Sequence, residues 1–219
     1  MGNKHLKKIY QILSETYPTF EESDDPWSNN GLNATPFKTL TSVALSAMTH
    51  DKRVVKACIA LYERISTPQE LLELNDEELR ECIKPVAHYN RKTKNLKKMC
   101  SELIERHDGE VPNTREELMK LTGIGRKCTD IMMHFMFDTP SIAVDTHVHR
   151  LANRLGIVDT TDREKTADVL NEVTPNLYKI HAHEWLIQHG MKICMAKNPK
   201  CIECVISQYC QYFQEKKSS

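Results

Sequence analysis

The chain has 219 residues, and its 30 Lys and Arg balance its 30 Asp and Glu, so the formal net charge is zero. That excludes the bulk-basic signature of many nucleic-acid binders, though not a local basic face. Only seven glycines, 6% aromatics and few β-branched runs argue against an all-β fold, while 40% apolar and 27% charged residues describe a globular chain rather than a disordered one. The length suits one large domain or two small ones sharing a cleft.

In chain order the pattern is helix after helix. Leu6, Ile9, Tyr10, Leu13 and Tyr17 follow an i, i+3, i+4, i+7 spacing that ends at Pro18. Residues 19–35, with Asp24, Asp25, Pro26, Ser28, Asn29, Asn30 and Gly31, read as a loop. Pro36 opens the next helix, through Leu40, Val43, Ala44 and Ala47, and Asp51 is the expected cap of another. Thr67-Pro68-Gln69-Glu70 and Thr114-Arg115-Glu116-Glu117 are capping boxes. Between them a helix from about Asn90 to His107 stops at Gly109. The chain turns at Gly123-Ile124-Gly125 into an apolar helix, Cys128 to Phe137. Asp145 opens another, and the segments after Thr161 and Asn176 are helical again. The tail after Lys192 is short and loop-rich. No apolar stretch approaches the roughly 20 residues of a membrane span, and Met1 to Tyr10 has no secretory core, so a cytoplasmic protein with no membrane partner is expected.

Charge is uneven along the chain. Lys84, Arg91, Lys92, Lys94, Lys97 and Lys98 form a basic run without acids, whose plain reading is a solvated helix face. Of eight cysteines, four fall in one segment as Cys194-x6-Cys201-x2-Cys204-x5-Cys210. Such a cluster in a reducing compartment reads as a metal site. Zinc takes four thiolates tetrahedrally, and an iron–sulfur cubane takes one per iron. Spacing alone does not choose. Only Cys201 and Cys204 form a close pair, which leans toward iron–sulfur. Lys192, Lys197 and Lys200 share this segment.

Two further motifs carry chemistry. In Leu121-Thr122-Gly123-Ile124-Gly125-Arg126-Lys127, two helices meet at a Gly-x-Gly turn. The glycines permit positive φ and close backbone approach, and the second helix offers unpaired N–H groups to a phosphate. Taken alone, the motif is also an ordinary turn. Lys127 sits where the helix dipole and partial desolvation enrich the neutral amine, a nucleophile that forms Schiff bases; its plain alternative is a phosphate-contacting surface lysine. In Val144-Asp145-Thr146-His147-Val148-His149-Arg150, Asp145 reads locally as an N-cap. A fixed carboxylate there could also help activate a nucleophile and stabilise positive charge at an anomeric carbon. His147 and His149 read as packing or hydrogen-bonding residues.

Together, in this order, these features resemble the endonuclease III family of DNA glycosylases, within the helix-hairpin-helix superfamily whose members share a Gly/Pro-rich loop and an essential aspartate. The resemblance runs from about Pro36 to Tyr212. It includes Ile142-Ala143-Val144-Asp145-Thr146-His147, His183-Glu184-Trp185-Leu186-Ile187-Gln188-His189-Gly190 and the 6-2-5 cysteine spacing. It implies an all-α fold of two helical domains flanking a DNA-binding cleft, with a helix-hairpin-helix motif and a C-terminal cluster loop. One domain is expected over residues 23–138 and the other over 1–22 plus 139–219. It implies a [4Fe–4S] cluster on Cys194, Cys201, Cys204 and Cys210, mainly structural, with Lys197 and Lys200 contacting phosphates. It implies that Lys127 attacks the anomeric carbon of a flipped damaged nucleotide, assisted by Asp145, followed by β-elimination 3′ to the lesion. Gly123, Ile124, Gly125 and Arg126 would contact DNA, as would Met48 and His88. The implied partner is damaged double-stranded DNA, the substrate class oxidised pyrimidines, the enzyme a nucleoid-associated monomer.

The sequence also departs from the family pattern. Leu45-Ser46-Ala47-Met48 stands where relatives often read Leu-Ser-Ala-Gln, and methionine cannot hydrogen-bond an orphaned base as glutamine can. His88 stands in place of a leucine wedge, Thr122 in place of the hairpin proline, and Cys128 in place of threonine after the lysine. These bear on lesion and opposite-base preference. Two other readings share the scaffold: a glycosylase for mismatched or alkylated bases, and a non-catalytic DNA-binding protein that senses redox state.

Overall fold

The computed structural model describes residues 4–19 and 26–218. Asp24 and Asp25 of the expected loop lie outside the described residues, as do residues 22 and 23, where the first domain boundary is expected. Among the described residues every regular element is helical, and no helix is long and apolar enough to cross a membrane. The chain divides into two compact units, Met1–Ser23 with Pro140–Ser219, and Asp24–Thr139. Each has its own apolar core.

The unit Asp24–Thr139 is a run of helices. A short α2 (Pro26–Asn29) follows the first helix of the chain, α1 (Leu6–Thr16). Then come α3 (Pro36–Ser46), α4 (Asp51–Tyr62), α5 (Pro68–Glu73), α6 (Asp76–Ile83), α7 (Tyr89–His107), α8 (Arg115–Lys120) and α9 (Arg126–Met136). Local chemistry fixes most starts. The Thr35 hydroxyl caps α3 ahead of Pro36, and Thr67 and Glu70 form the full reciprocal box at α5. At α8 only half the box forms: Thr114 accepts the Glu117 N–H, while the Glu117 carboxylate pairs with Lys120 at 2.7 Å. Asp51 is not the cap of α4. It is the first helical residue after His50, where its charge favours the positive end of the helix dipole. A box the sequence reading missed, Asn75 with Glu78, starts α6.

Helix α7 carries the core of this unit. Leu96, Met99, Cys100 and Leu103 recur at i, i+3, i+4, i+7 and are all buried. Each contributes about 1.5–3 kcal/mol relative to exposure. The basic run on this helix is not one solvated face. Arg91, Lys94 and Lys98 are exposed, but Lys92 is buried, and Lys97 donates to the Leu74 carbonyl at 2.6 Å.

In the other unit, α1 joins the C-terminal helices α10 (Thr146–Arg154), α11 (Arg163–Val173) and α12 (Asn176–Lys192). Ile9, Tyr10 and Leu13 of α1 are fully buried. Tyr10 stacks on Tyr178 and shares a 3.0 Å hydrogen bond with Thr174. Burial pushes its phenol well above the usual tyrosine range, so the hydroxyl is a permanent hydrogen-bonding group. The tail is not wholly loop: a 3-10 turn (Ser207–Tyr209) leads into α13 (Gln211–Ser218).

Candidate active site and metal centre

The hairpin motif lies between α8 and α9. Gly123 has φ +85°, and a Cβ there would come within 3.1 Å of the Asn95 side-chain nitrogen, so the turn needs glycine. Ile124 is buried and anchors the tip to the core. Gly125 differs from the expectation: its φ of −106° suits any residue, and a Cβ there would meet nothing within 4 Å. The fold does not demand a glycine at this position. Thr122, in the place of a proline, donates its N–H to Glu102 Oε2 at 2.7 Å and its hydroxyl to Oε1 at 2.8 Å. The nearly buried Glu102 carboxylate thus gives the turn the rigidity that a proline ring would otherwise supply.

Helix α9 starts without a side-chain cap, two residues earlier than the apolar pattern suggests. Its first-turn N–H groups are the ones a phosphate could use. Lys127 lies in this turn, partly exposed, and among the described residues its ammonium makes no hydrogen bond or ion pair. Arg126 is already engaged: its Nε donates to the fully buried Asp130 at 3.0 Å, and Arg115 also pairs with that carboxylate. The Cys128 thiol is pushed up by burial, with Lys127 and Lys92 among the charges that act on it in the opposite sense.

Of the four exposed non-glycine residues of this unit in the left-handed region, Met48 (φ +56°), His88 (φ +57°), Asp108 and Asp138, the first two are the ones the family resemblance sets toward DNA. Ala47 at φ −54°, ψ 121° followed by Met48, with Thr49 N–H donating to Ser46 O at 3.0 Å, makes a type II turn whose third position ordinarily prefers glycine. Met48 is 79% exposed. His88 is the residue before α7 and caps nothing with its ring.

In the other unit Asp145 is the N-cap of α10. A single oxygen, Oδ1, accepts from His147 N at 2.8 Å and Val148 N at 2.9 Å. Among the described residues Oδ2 makes no hydrogen bond, so one oxygen fixes the carboxylate while the other is uncommitted. The lead-in is held from α12, where the buried His183 ring shares a 2.8 Å hydrogen bond with Ala143 O. Gly190 lets α12 close on α10, since a Cβ there would meet His147 Cβ at 3.0 Å. Arg150 then donates to Gly190 O at 2.7 Å and Cys194 O at 2.9 Å. The sequence motif from His183 to Gly190 is therefore a buttress for the aspartate. His149 bonds Thr166 at 2.7 Å and serves structure, as its pattern suggests.

Cys194, Cys201, Cys204 and Cys210 line one cavity with Leu151, Leu155 and other largely apolar neighbours. All four cysteines thus border a single space rather than being scattered through the unit. A cubane asks for that, with one cysteine per iron. Cys204 is pushed up to about 11, chiefly by burial and further by the other three cysteines, a repulsion that cationic irons relieve. Arg154 donates to Cys194 Sγ at 3.4 Å and to Met195 O at 2.8 Å, and His189 lies 3.4 Å from Cys204 Sγ. These are the outer hydrogen bonds that orient thiolate ligands. Lys197 is exposed; Lys200 is exposed and 3.7 Å from Glu203.

A helical scaffold with a Gly–Ile–Gly hairpin and a capping aspartate at the next helix start is that of a helix-hairpin-helix DNA-repair protein. Comparison with known proteins narrows this. A model of the HhH-GPD superfamily of base excision DNA repair proteins matches residues 41–176, and one for the iron–sulfur binding domain of endonuclease III matches residues 194–210. The endonuclease III of Haemophilus influenzae is 40% identical over 88% of this chain and 90% of its own length. That of Escherichia coli K12 is 39% identical over 86% and 90%. A solved endonuclease III trapped as a covalent intermediate with DNA superposes with a TM-score of 0.88 at 29% identity, covering 99% of each chain. A thermostable thymine-DNA glycosylase, 21% identical with a TM-score of 0.82 over 97% of this chain and 98% of its own, shares the fold. The chain belongs to the endonuclease III family of the HhH-GPD superfamily: it is a DNA glycosylase/AP lyase whose four C-terminal cysteines hold a [4Fe–4S] cluster. The non-catalytic reading is set aside.

Proposed function

We propose that Lys127 is the nucleophile and Asp145 the assisting carboxylate in removing oxidised pyrimidines from double-stranded DNA and cutting 3′ to the abasic site. The observation that carries this is the Lys127 amine, unpaired among the described residues, in the first turn of an uncapped helix. The anomeric carbon cannot be reached inside the stack, so the damaged nucleotide must flip out. The amine bonds to C1′ as the C1′–N bond breaks, and the base leaves with the electron pair and takes up a proton. Ring opening, with a proton taken up at O4′, gives a protonated imine. Loss of a C2′ proton converts it to an enamine, whose electrons return to rebuild the protonated imine as the C3′–O bond breaks and the phosphate leaves with the pair; water then hydrolyses the imine and frees Lys127. The uncommitted Asp145 Oδ2 can accept the amine's proton and offset positive charge growing at C1′.

The remaining contacts follow from chemistry already described. The N–H groups of Gly123, Gly125 and Arg126 receive a phosphate, with Ile124 at the tip between them, its own N–H held by Leu121 O at 3.1 Å; Lys197 and Lys200 receive a second one. Met48 and His88 enter the space the flipped nucleotide leaves. The cluster, held by Cys194, Cys201, Cys204 and Cys210, ties the loop covalently and supplies no chemistry at the sugar. The units act as domains 23–138 and 1–22 plus 139–219, in a monomer working on the nucleoid.

Borohydride trapping tests the nucleophile. Wild type with abasic duplex should give a covalent adduct that Lys127→Ala loses by at least about two orders of magnitude. No adduct with wild type, or full trapping by the variant, overturns the assignment. A second substrate reading, mismatched or alkylated bases, is favoured by Met48, which offers an orphaned base no hydrogen bond. A panel of lesion duplexes separates the two.

A further inference from the structure

The basic run of α7 hides one residue that does not face solvent. Lys92 Nζ donates to Leu45 O at 2.7 Å, Ala47 O at 2.7 Å and Thr49 Oγ1 at 3.1 Å. Three acceptors match the three donors of an ammonium group. The two carbonyls belong to the end of α3, where helical carbonyls lack partners and a cation is favoured. The Thr49 hydroxyl is equally committed. It donates to Ala47 O at 3.3 Å and accepts from Lys92 and, at 3.1 Å, from Ala87 N–H. A hydroxyl has one donor and two acceptor sites, and all three are filled.

These bonds join two turns far apart in sequence. One holds Met48 and the other His88, both exposed and both left-handed. Ala87 lies next to His88, and the Lys92 N–H donates to His88 O at 3.0 Å. The 46–49 turn and the 86–89 turn therefore share the Thr49 hydroxyl, and the buried Lys92 ammonium group reaches the first turn from the helix start that the second turn opens. A left-handed non-glycine residue persists only where its surroundings over-determine it, and here the surroundings of each turn are the other turn.

We propose that Thr49 and Lys92 are positioning residues that lock Met48 and His88 into a single two-pronged probe, so that both enter the duplex together at one lesion. This rests on the reading of Met48 and His88 as the residues that fill the space beside a flipped nucleotide. The lock does not touch DNA. It makes insertion of one side chain conditional on the other, and so concerns selection of lesion and opposite base rather than bond breaking.

A double-mutant cycle in the full-length, cluster-containing enzyme tests this. Met48→Ala, His88→Ala and the pair are made in three backgrounds: wild type, Thr49→Ser and Thr49→Val. The readouts are single-turnover base excision and the fluorescence of 2-aminopurine placed opposite the lesion, which rises on unstacking. In wild type and Thr49→Ser, the product of the single losses should exceed the double loss by at least about threefold. In Thr49→Val, where the hydroxyl is gone, that ratio should fall to about one, whatever happens to thermal stability. Multiplicative losses in wild type overturn the lock, and so does a ratio that survives in Thr49→Val. If neither single substitution changes excision or fluorescence, the underlying reading of these residues as probes fails and the lock with it. Should Thr49→Val not fold, the wild-type cycle together with Lys92→Met decides: coupling that Lys92→Met abolishes supports the lock, and its absence or persistence overturns it.

Discussion

Two helix starts, one in each unit, use the same backbone groups in opposite ways. At α10 the first N–H groups are consumed by the Asp145 side chain. At α9, after Gly125, no side chain caps them. A cap stabilises a helix by about 1 kcal/mol, so an uncapped start gives up stability while keeping donors for a phosphate. The contrast teaches that capping and ligand binding compete for the same atoms. At α10 the same side chain caps with one oxygen and leaves the second uncommitted.

The largest expected effect is at Asp145. Asp145→Asn keeps an oxygen for the His147 and Val148 N–H groups but loses the charge. Base excision should drop by about two to four orders of magnitude, the range for a general acid–base group, with the melting temperature and duplex binding nearly unchanged. Asp145→Ala should lose the same activity and also about 1 kcal/mol of stability, read by denaturant unfolding. Equal stability losses in both variants would mean that the carboxylate charge, rather than the capping oxygen, holds α10.

The two hairpin glycines sharpen the comparison at smaller scale. Gly123→Ala places a side chain at φ +85° against Asn95, and should destabilise by about 1–2 kcal/mol. Gly125→Ala meets open space at an ordinary φ. It should leave stability unchanged or raised by up to about 1 kcal/mol, yet weaken binding to duplex DNA, because its methyl group would stand in the way of the phosphate proposed above to dock at this turn. Titration of duplex binding beside urea unfolding separates the two. Wild-type affinity in Gly125→Ala would show that the open side of this start is not where DNA docks.

Legibility from sequence follows the reach of each interaction. Starts set by residues close in sequence are readable: Pro36 at α3, Thr67 with Glu70 at α5, Asp145 before His147 and Val148 at α10; the Thr35 cap ahead of Pro36 came only with the structure. The Asn75–Glu78 box was equally local but lay inside an acidic stretch that read only as charge. Lys127, Asp145 and the four cysteines stood out as site candidates because their signatures are contiguous. Glu102, Thr49 and Lys92 did not, and the role of His183 within its motif was not visible, because each acts on residues 20 to 47 positions away. Charge alone does not separate the buried Lys92 from its exposed neighbours; its place four residues before Leu96 and seven before Met99 puts it on the apolar face of α7, and the α3 end supplies the acceptors that no local pattern shows. The expected positive φ at both glycines held for Gly123 alone, since a glycine kept for surface clearance and one kept for backbone strain look identical in sequence.

The smallest predicted effect concerns that buried amine. Burial, reinforced by the nearby Arg91, pulls Lys92 down to about 8 from the ordinary lysine value of 10.5. Three oxygens around Nζ still favour the ammonium form near neutrality. Between these two values the unfolded chain binds more protons at this site than the folded one. Stability contributed by Lys92 must therefore rise as pH climbs from about 8 toward 10.5, and it is flat with respect to this group below that window. Urea unfolding of wild type and Lys92→Met across pH 7 to roughly 10.5 should show the difference between them growing in favour of wild type only above about pH 8. The neutral amine has two donors for three oxygens, so the turn that holds Met48 should loosen over the same interval. Amide exchange at Thr49 and Ala87, corrected for intrinsic rates, should speed up in wild type above that pH and show no such step in Lys92→Met. Parallel pH curves for the two proteins would place this ammonium outside the bond network that separates the strained α3 end of this unit from the self-sufficient cap at Asp145 in the other.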